Sequence, residues 1–382
     1  DFKPMAGGKA EHAYRYAKYF HEQGHTVLTI APDVEGCREF DEAQSFEIRR
    51  VKGRGTYAGL ARFLAALVRA LREEQFDWVY CPFWLPEGAL AALTVPHTQS
   101  RLAIAVHGRE VLYEKSSFED RIRAQRQLLK AGLLQPPLQR WILRSADVVI
   151  AVSEWTRDAV LRAVPDGVDV RVVNNGVTPE EFEDATPLET VDGVDLTDRK
   201  VLLTVSRLAP RKGHDVVIQA LPRITEEHPD TIYLVAGSGR ERASLEALAE
   251  RLGVEDHVLF LGYVPDPDLP DLYATADLFV MPNRWEGTSV EGFGIVFLEA
   301  NATRTPVVGG DSGGVPDAVV DDVTGRLVDP YSVEAVAETI TDLLSDRQSL
   351  ARMGQNGYER VRSEFTWEHV GRELEEILRS FE

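Results

Sequence analysis

Glu291 and Glu299 stand with seven residues between them, and Gly292, Phe293 and Gly294 lead from the first acid into an apolar run, Ile295 to Leu298. A strand, Leu278 to Met281, is expected before this stretch, and a short helix is expected to start near Gly294. Glycines let a backbone turn tightly and approach a ligand closely. The free N–H groups of a helix start suit an anion. Glu299 falls inside the apolar helix, where a carboxylate needs a partner because an unpaired buried charge is costly. The next strand, Thr305 to Val308, runs into Gly309, Gly310, Asp311, Ser312, Gly313 and Gly314. Two successive strand ends thus carry glycine-rich loops, the place where open α/β sheets bind ligands.

A second group sits earlier. Ser206 to Gly213 reads SRLAPRKG after an apolar strand and before a helix. Arginine offers a planar fork for phosphate oxygens and lysine a compact charge. Both precede an electropositive helix terminus. Gly237, Ser238 and Gly239 follow another strand, but half of a dinucleotide fingerprint is also what any tight strand-to-helix turn looks like. His107 ends a strand just before Gly108, and Gly7 and Gly8 precede the first helix. Taken alone, these last two features are as well explained by packing and turns.

The whole pattern resembles the retaining glycosyltransferases of family 4, which have the GT-B fold. The wording GIVFLEA, SGGVPDAV and TGRLVDP is similar to that of bacterial phosphatidylinositol mannosyltransferases. The resemblance implies that Arg207 and Lys212 hold and neutralise the donor's diphosphate, that Glu299 binds the ribose, and that Glu291 and His107 position the sugar. It also implies backbone contacts from Gly8, Gly237, Val264, Phe293 and Gly294. Asn174 to Val177 matches a turn read as structural, with Gly176 supplying a permissive backbone. Neutralisation by side chains implies no metal, and no metal-ligand spacing is seen. No cofactor is expected beyond the nucleotide-sugar substrate.

The elements that must carry these residues alternate. Apolar strands between helices indicate an α/β chain with parallel sheets covered on both faces. At 382 residues two domains are expected. The resemblance implies two Rossmann-like domains facing across a cleft: 1–185 on the acceptor side, 186–362 on the donor side, and 363–382 crossing back. The stretch Thr178 to Arg199 holds eight acids and one base and is expected to be the linker. Relatives carry a first strand ahead of the loop DFKPMAGG, so that strand is expected to lie upstream of these residues.

Formal charge is −20, which argues against nucleic acid as a partner. Cys37 and Cys81 alone give no disulfide framework, which fits a cytoplasmic protein. No apolar run reaches the roughly 20 residues of a membrane span. Between Lys115 and Arg144, seven bases face two acids beside Leu133, Leu134, Trp141, Ile142 and Leu143. Such a segment suits either a solvated scaffold helix or peripheral contact with an anionic membrane.

The expectation is therefore a metal-independent, retaining hexosyltransferase acting on a lipid or saccharide acceptor, with GDP-mannose as the first candidate donor. UDP-glucose or UDP-N-acetylglucosamine is the alternative donor. A GT-B sugar-nucleotide epimerase is the rival activity, against which the Glu291/Glu299 and Arg207/Lys212 pairs speak.

Overall fold

A computed structural model describes residues 2–5, 7–108, 135–287 and 289–381. The chain forms two compact units. One runs through Gly176 and resumes at Trp367; the other spans Val177–Thr366. Elements are numbered below in chain order.

In the first unit α1 (Gly8–Glu22) leads to β1 (Leu28–Pro32), α2 (Cys37–Glu42), β2 (Glu47–Val51) and α3 (Tyr57–Glu73). β3 (Trp78–Cys81), α4 (Ala89–Thr94) and β4 (Arg101–Val106) follow. After α5 (Gln135–Arg144) come β5 (Val148–Ala151), α6 (Glu154–Ala163) and β6 (Val170–Val172). All strand pairs are parallel, but the sheet is in two pieces, β1–β2 and β3–β4–β5–β6. The facing strands β1 and β3 both line a cavity of about 600 Å³. β4 from Leu102 onward and all of β5 are apolar and buried, as both-face coverage demands. Caps set helix starts: Thr56 accepts from the Gly59 N–H at α3 and Ser153 from the Thr156 N–H at α6. The last helix, α14 (Trp367–Arg379, numbered after those below), lies on α1. A Cβ on Gly371 would stand 2.5 Å from the Tyr19 ring, and Glu375 accepts from Tyr19 Oη at 3.0 Å.

The second unit begins with a small antiparallel hairpin, β7 (Thr190–Val191) and β8 (Val194–Asp195). Its sheet alternates β9 (Lys200–Val205), α7 (His214–Glu227), β10 (Thr231–Ala236), α8 (Arg242–Leu252), β11 (Val258–Gly262) and α9 (Leu269–Thr275). β12 (Leu278–Met281), α10 (Ile295–Ala302), β13 (Val307–Gly310), α11 (Val315–Ala318) and β14 (Gly325–Val328) follow. The helices α12 (Val333–Ser345) and α13 (Arg347–Glu364) close it. The strand order is β11-β10-β9-β12-β13-β14, all parallel. This is the 3-2-1-4-5-6 order of a Rossmann sheet. The order reverses at β9, and sheets of this kind generally bind ligands at the carboxyl ends of the strands at such a point.

Three expectations are corrected. Residues 178–199 are no free linker. Phe182 packs against Tyr273 with ring centroids 6.2 Å apart, and Leu196 is buried. The N–H groups of Thr186 and Leu188 donate to Asp271 and Thr275, each at 2.8 Å. The unit boundaries accordingly fall at 176/177 and 366/367 rather than 185/186 and 362/363. Gly176 has no left-handed backbone; it is small because a Cβ would meet Trp367 at 2.9 Å. The basic stretch 115–144 lies outside the described residues except for α5. There Arg140 and Arg144 donate to the carbonyls of Ala163 and Asp166. Among the described residues no helix is long and apolar enough to cross a membrane.

Candidate active site

The loop after β9 carries Arg207, then a turn of 3-10 helix, Pro210–Lys212, and Gly213 at the start of α7. Gly213 has φ +79° and no room for a side chain, since a Cβ would stand 2.2 Å from the Pro282 carbonyl oxygen. The loops after β9 and β12 are thereby locked together. The Arg284 N–H donates to the Arg211 carbonyl at 2.8 Å, and the Arg284 guanidinium grips Asp215 of α7 at 2.9 and 3.0 Å. Gly237 and Gly239 brace the same loop from the β10 side. Their Cβ atoms would lie 1.9 and 2.2 Å from the carbonyl oxygens of Ser206 and Leu208.

Lys212 is 7 % exposed and its Nζ lies 2.6 Å from Glu291 Oε2. Arg211 Nη1 reaches the same oxygen at 2.5 Å. Glu291 is pinned in turn, because the Gly314 N–H donates to its carbonyl at 3.0 Å and Gly313, at φ +62°, leaves that carbonyl room. Burial alone would raise the Glu291 carboxyl. The Lys212 ammonium and Arg211 guanidinium reverse this and hold it at about 2. Burial lowers Lys212, the Glu291 charge opposes that, and Arg211 and Arg207 reinforce it. Three cations around one acid explain why both partners of this pair are lowered. Arg207 is exposed, and its guanidinium has no hydrogen bond or ion pair among the described residues. Beside them His214, 2 % exposed, shares a 3.1 Å bond with Ser206 Oγ. Burial and then the nearby Lys212 charge bring it down to about 3.

Glu299 is half-buried on α10 and accepts from Tyr273 Oη at 2.6 Å. Burial, then the Glu299 charge, raises Tyr273 well above 10. Gly294 starts α10 with φ +96°, and Phe293 turns its ring inward against Phe365, 5.9 Å away. Only the backbone of Phe293 can therefore meet a ligand. Val264 is half-buried after β11.

Two expected residues belong to the first unit. His107 Nε2 lies 3.0 Å from the Pro82 carbonyl, which can only accept, so the ring proton sits on Nε2. Burial and then Lys9 lower His107 to about 4. Its ring is 4.8 Å from that of His12, a buried residue bonded to Asn175 and Tyr80 at 2.9 and 2.8 Å. Gly8 opens α1, where a Cβ would meet nothing within 4 Å.

The structure thus gathers Arg207, Lys212, Glu291 and Gly237 around one loop pair, with Phe293, Gly294 and Glu299 just beyond on the same chain segment. Sequence reasoning does not single out Arg211, His214, Tyr273, His12 or the Arg284–Asp215 clasp. Arg211 adjoins Lys212 in a basic loop, but no spacing rule ties it to an acid eighty residues away.

The model of Glycosyltransferase Family 4 matches residues 6–181 and that of Glycosyl transferases group 1 matches 192–360. A GDP-mannose-dependent alpha-(1-6)-phosphatidylinositol monomannoside mannosyltransferase of Mycolicibacterium smegmatis is 33% identical over 99% of this chain and 96% of its own. A monoacylated-substrate counterpart in Corynebacterium glutamicum is 30% identical over 100% of this chain and 96% of its own. Among solved structures, sucrose-phosphate synthase of Thermosynechococcus elongatus superposes with a TM-score of 0.78 at 23% identity, covering 98% of this chain and 94% of that one. The HepE protein of Anabaena in complex with UDP gives 0.79 at 23%, covering 100% and 98%. These likenesses give the GT-B fold of two Rossmann-like units. With family models across both halves and mannosyltransferase relatives aligned end to end, the chain belongs to the glycosyltransferases of family 4.

Proposed function

We propose that this glycosyltransferase moves mannose from GDP-mannose to a lipid-linked or saccharide acceptor, with retention and without a metal ion. The observation that carries the reading is the Lys212–Glu291 pair, flanked by Arg207 and Arg211, at the carboxyl ends of the central strands of a Rossmann sheet. The names of the most similar relatives favour GDP-mannose and an inositol lipid.

In this reading the acceptor hydroxyl attacks the anomeric carbon on the face from which the diphosphate departs. The carbon–phosphate-oxygen bond breaks, and the leaving phosphate oxygen takes the acceptor's proton. Arg207 and Lys212 stabilise the developing negative charge, an effect often worth about 10²–10³ in rate for a single donor. Glu299 holds the ribose hydroxyls, and Glu291 stands by the sugar. His107 is the first unit's candidate for the same reaction.

The test is calorimetry with GDP, UDP and ADP, then with GDP-mannose and UDP-glucose, on the wild type and Arg207→Ala, in the presence of chelator. Tight binding of GDP, lost in Arg207→Ala, is the expected result. Preference for UDP would replace the donor and keep the site. Binding of no nucleotide would overturn the reading. The product's anomeric configuration, read by NMR, decides retention.

A further inference from the structure

We propose that Arg211 is a positioning residue, which keeps the Glu291 carboxylate charged and in place while the Lys212 ammonium moves from it to the diphosphate of the donor. The movement of Lys212 rests on the donor-site reading above; the hold of Arg211 on Glu291 does not.

Both cations contact one oxygen, Glu291 Oε2, from neighbouring positions in the same turn. They differ in what they can do next. Lysine is a point charge on a flexible stem, free to change partners. Arginine is a planar fork suited to a carboxylate. The side chains of Arg211 and Glu291 are 15% and 16% exposed, so a carboxylate abandoned by every cation would be stranded largely out of water. Were Lys212 its sole partner, diphosphate binding would have to break a buried pair and leave one charge unmatched. With Arg211 present, the carboxylate retains a partner throughout.

The turn is built to keep Arg211 there. Its carbonyl is tied to the Arg284 N–H, Arg284 is clasped by Asp215 of α7, and Gly213 is seated under Pro282. Three parts of the second unit thus fix the backbone from which Arg211 reaches.

The experiment follows the Glu291 carboxyl by ¹³C NMR in nucleotide-free protein, in the wild type, Arg211→Met and Arg211→Lys. The midpoint is expected to rise by more than about one pH unit in Arg211→Met and to fall back in Arg211→Lys. An unchanged midpoint in Arg211→Met overturns the proposal. If Arg211→Met does not fold, Arg211→Gln, of similar reach and uncharged, takes its place. Kinetics supply the second arm. In Arg211→Met, kcat is expected to fall about 10-fold or more, with an acid limb moved to higher pH, while the Kd for GDP changes less than about 3-fold. Loss of GDP binding as complete as in Arg207→Ala, without rescue by Arg211→Lys, would make Arg211 a diphosphate ligand and overturn the positioning role. Wild-type protein that binds no nucleotide overturns the donor-site reading and the Lys212 movement, and the NMR titration still decides the hold on Glu291.

Discussion

Lys212 Nζ and Glu291 Oε2 lie 2.6 Å apart across the loops that follow β9 and β12, and with Arg211 and Arg207 the pair makes a cluster of three cations and one acid. Removing the acid therefore does more than delete a contact. Glu291→Gln leaves Lys212 buried beside Arg211 and Arg207 with no negative charge to offset them. The ligand-free protein is expected to lose roughly 3 kcal/mol, the scale for breaking a buried pair. Nucleoside diphosphate, which restores negative charge, is expected to bind Glu291→Gln at least as tightly as wild type while transfer collapses. Calorimetry alongside turnover checks this. Weaker binding together with slower turnover would mean that Glu291 supports the diphosphate rather than the sugar.

His214 gives a pH dependence of stability. Its value is about 3 in the folded protein against an ordinary 6.5, so the unfolded chain takes up the proton first as pH falls. Stability is complete above about 6.5 and declines toward pH 3, at about 1.4 kcal/mol per pH unit for one such group. His12 and His107 are lowered as well and add to the slope. Replacing His214 by Gln costs the Ser206 bond at every pH but removes one proton from the uptake. Urea unfolding at pH 7, 6 and 5 is expected to show the variant's stability falling less steeply than the wild type's. Parallel curves would show that His214 is already charged when folded.

The second unit's alternation is legible because β9, β10 and β12 are apolar runs, the pattern that a sheet covered on both faces imposes. The segment 178–199 misleads because its acids look like solvated linker, while its attachment to the sheet unit is made by two backbone N–H groups and by the isolated apolar side chains of Phe182 and Leu196. Helix α13 is hard to read because Gly354 and Gly357 look like breakers. They are contact points: a Cβ at 354 would stand 2.0 Å from the Arg304 carbonyl oxygen, and one at 357 would meet Asn301 at 2.5 Å. Lys212 and Glu291 are legible through their neighbours in motif. Arg211 and Tyr273 are not, because the fold brings them to partners in other elements, Glu291 and Glu299. His214 bonds Ser206 nearby in the chain, but nothing in the sequence shows that it is buried.

Two glycines, both expected to contact the donor, should respond in opposite ways to one added methyl. Gly237 has φ +138°, and its Cβ would fall 1.9 Å from the Ser206 carbonyl oxygen, a backbone atom that cannot swing aside. Alanine there must push the Arg207 loop off β10. The expected destabilisation is roughly 2–4 kcal/mol, from overpacking and an unfavourable backbone angle together. Donor binding is expected to fall with it. Gly8 has no positive φ, and a methyl there would meet nothing within 4 Å. Alanine at Gly8 is expected to leave the melting temperature unchanged or slightly raised, since it stiffens the unfolded chain and favours the start of α1. A fall in turnover without a fall in stability would then mark Gly8 as a place where backbone approaches the donor. Unchanged turnover would return Gly8 to the role of an ordinary helix start.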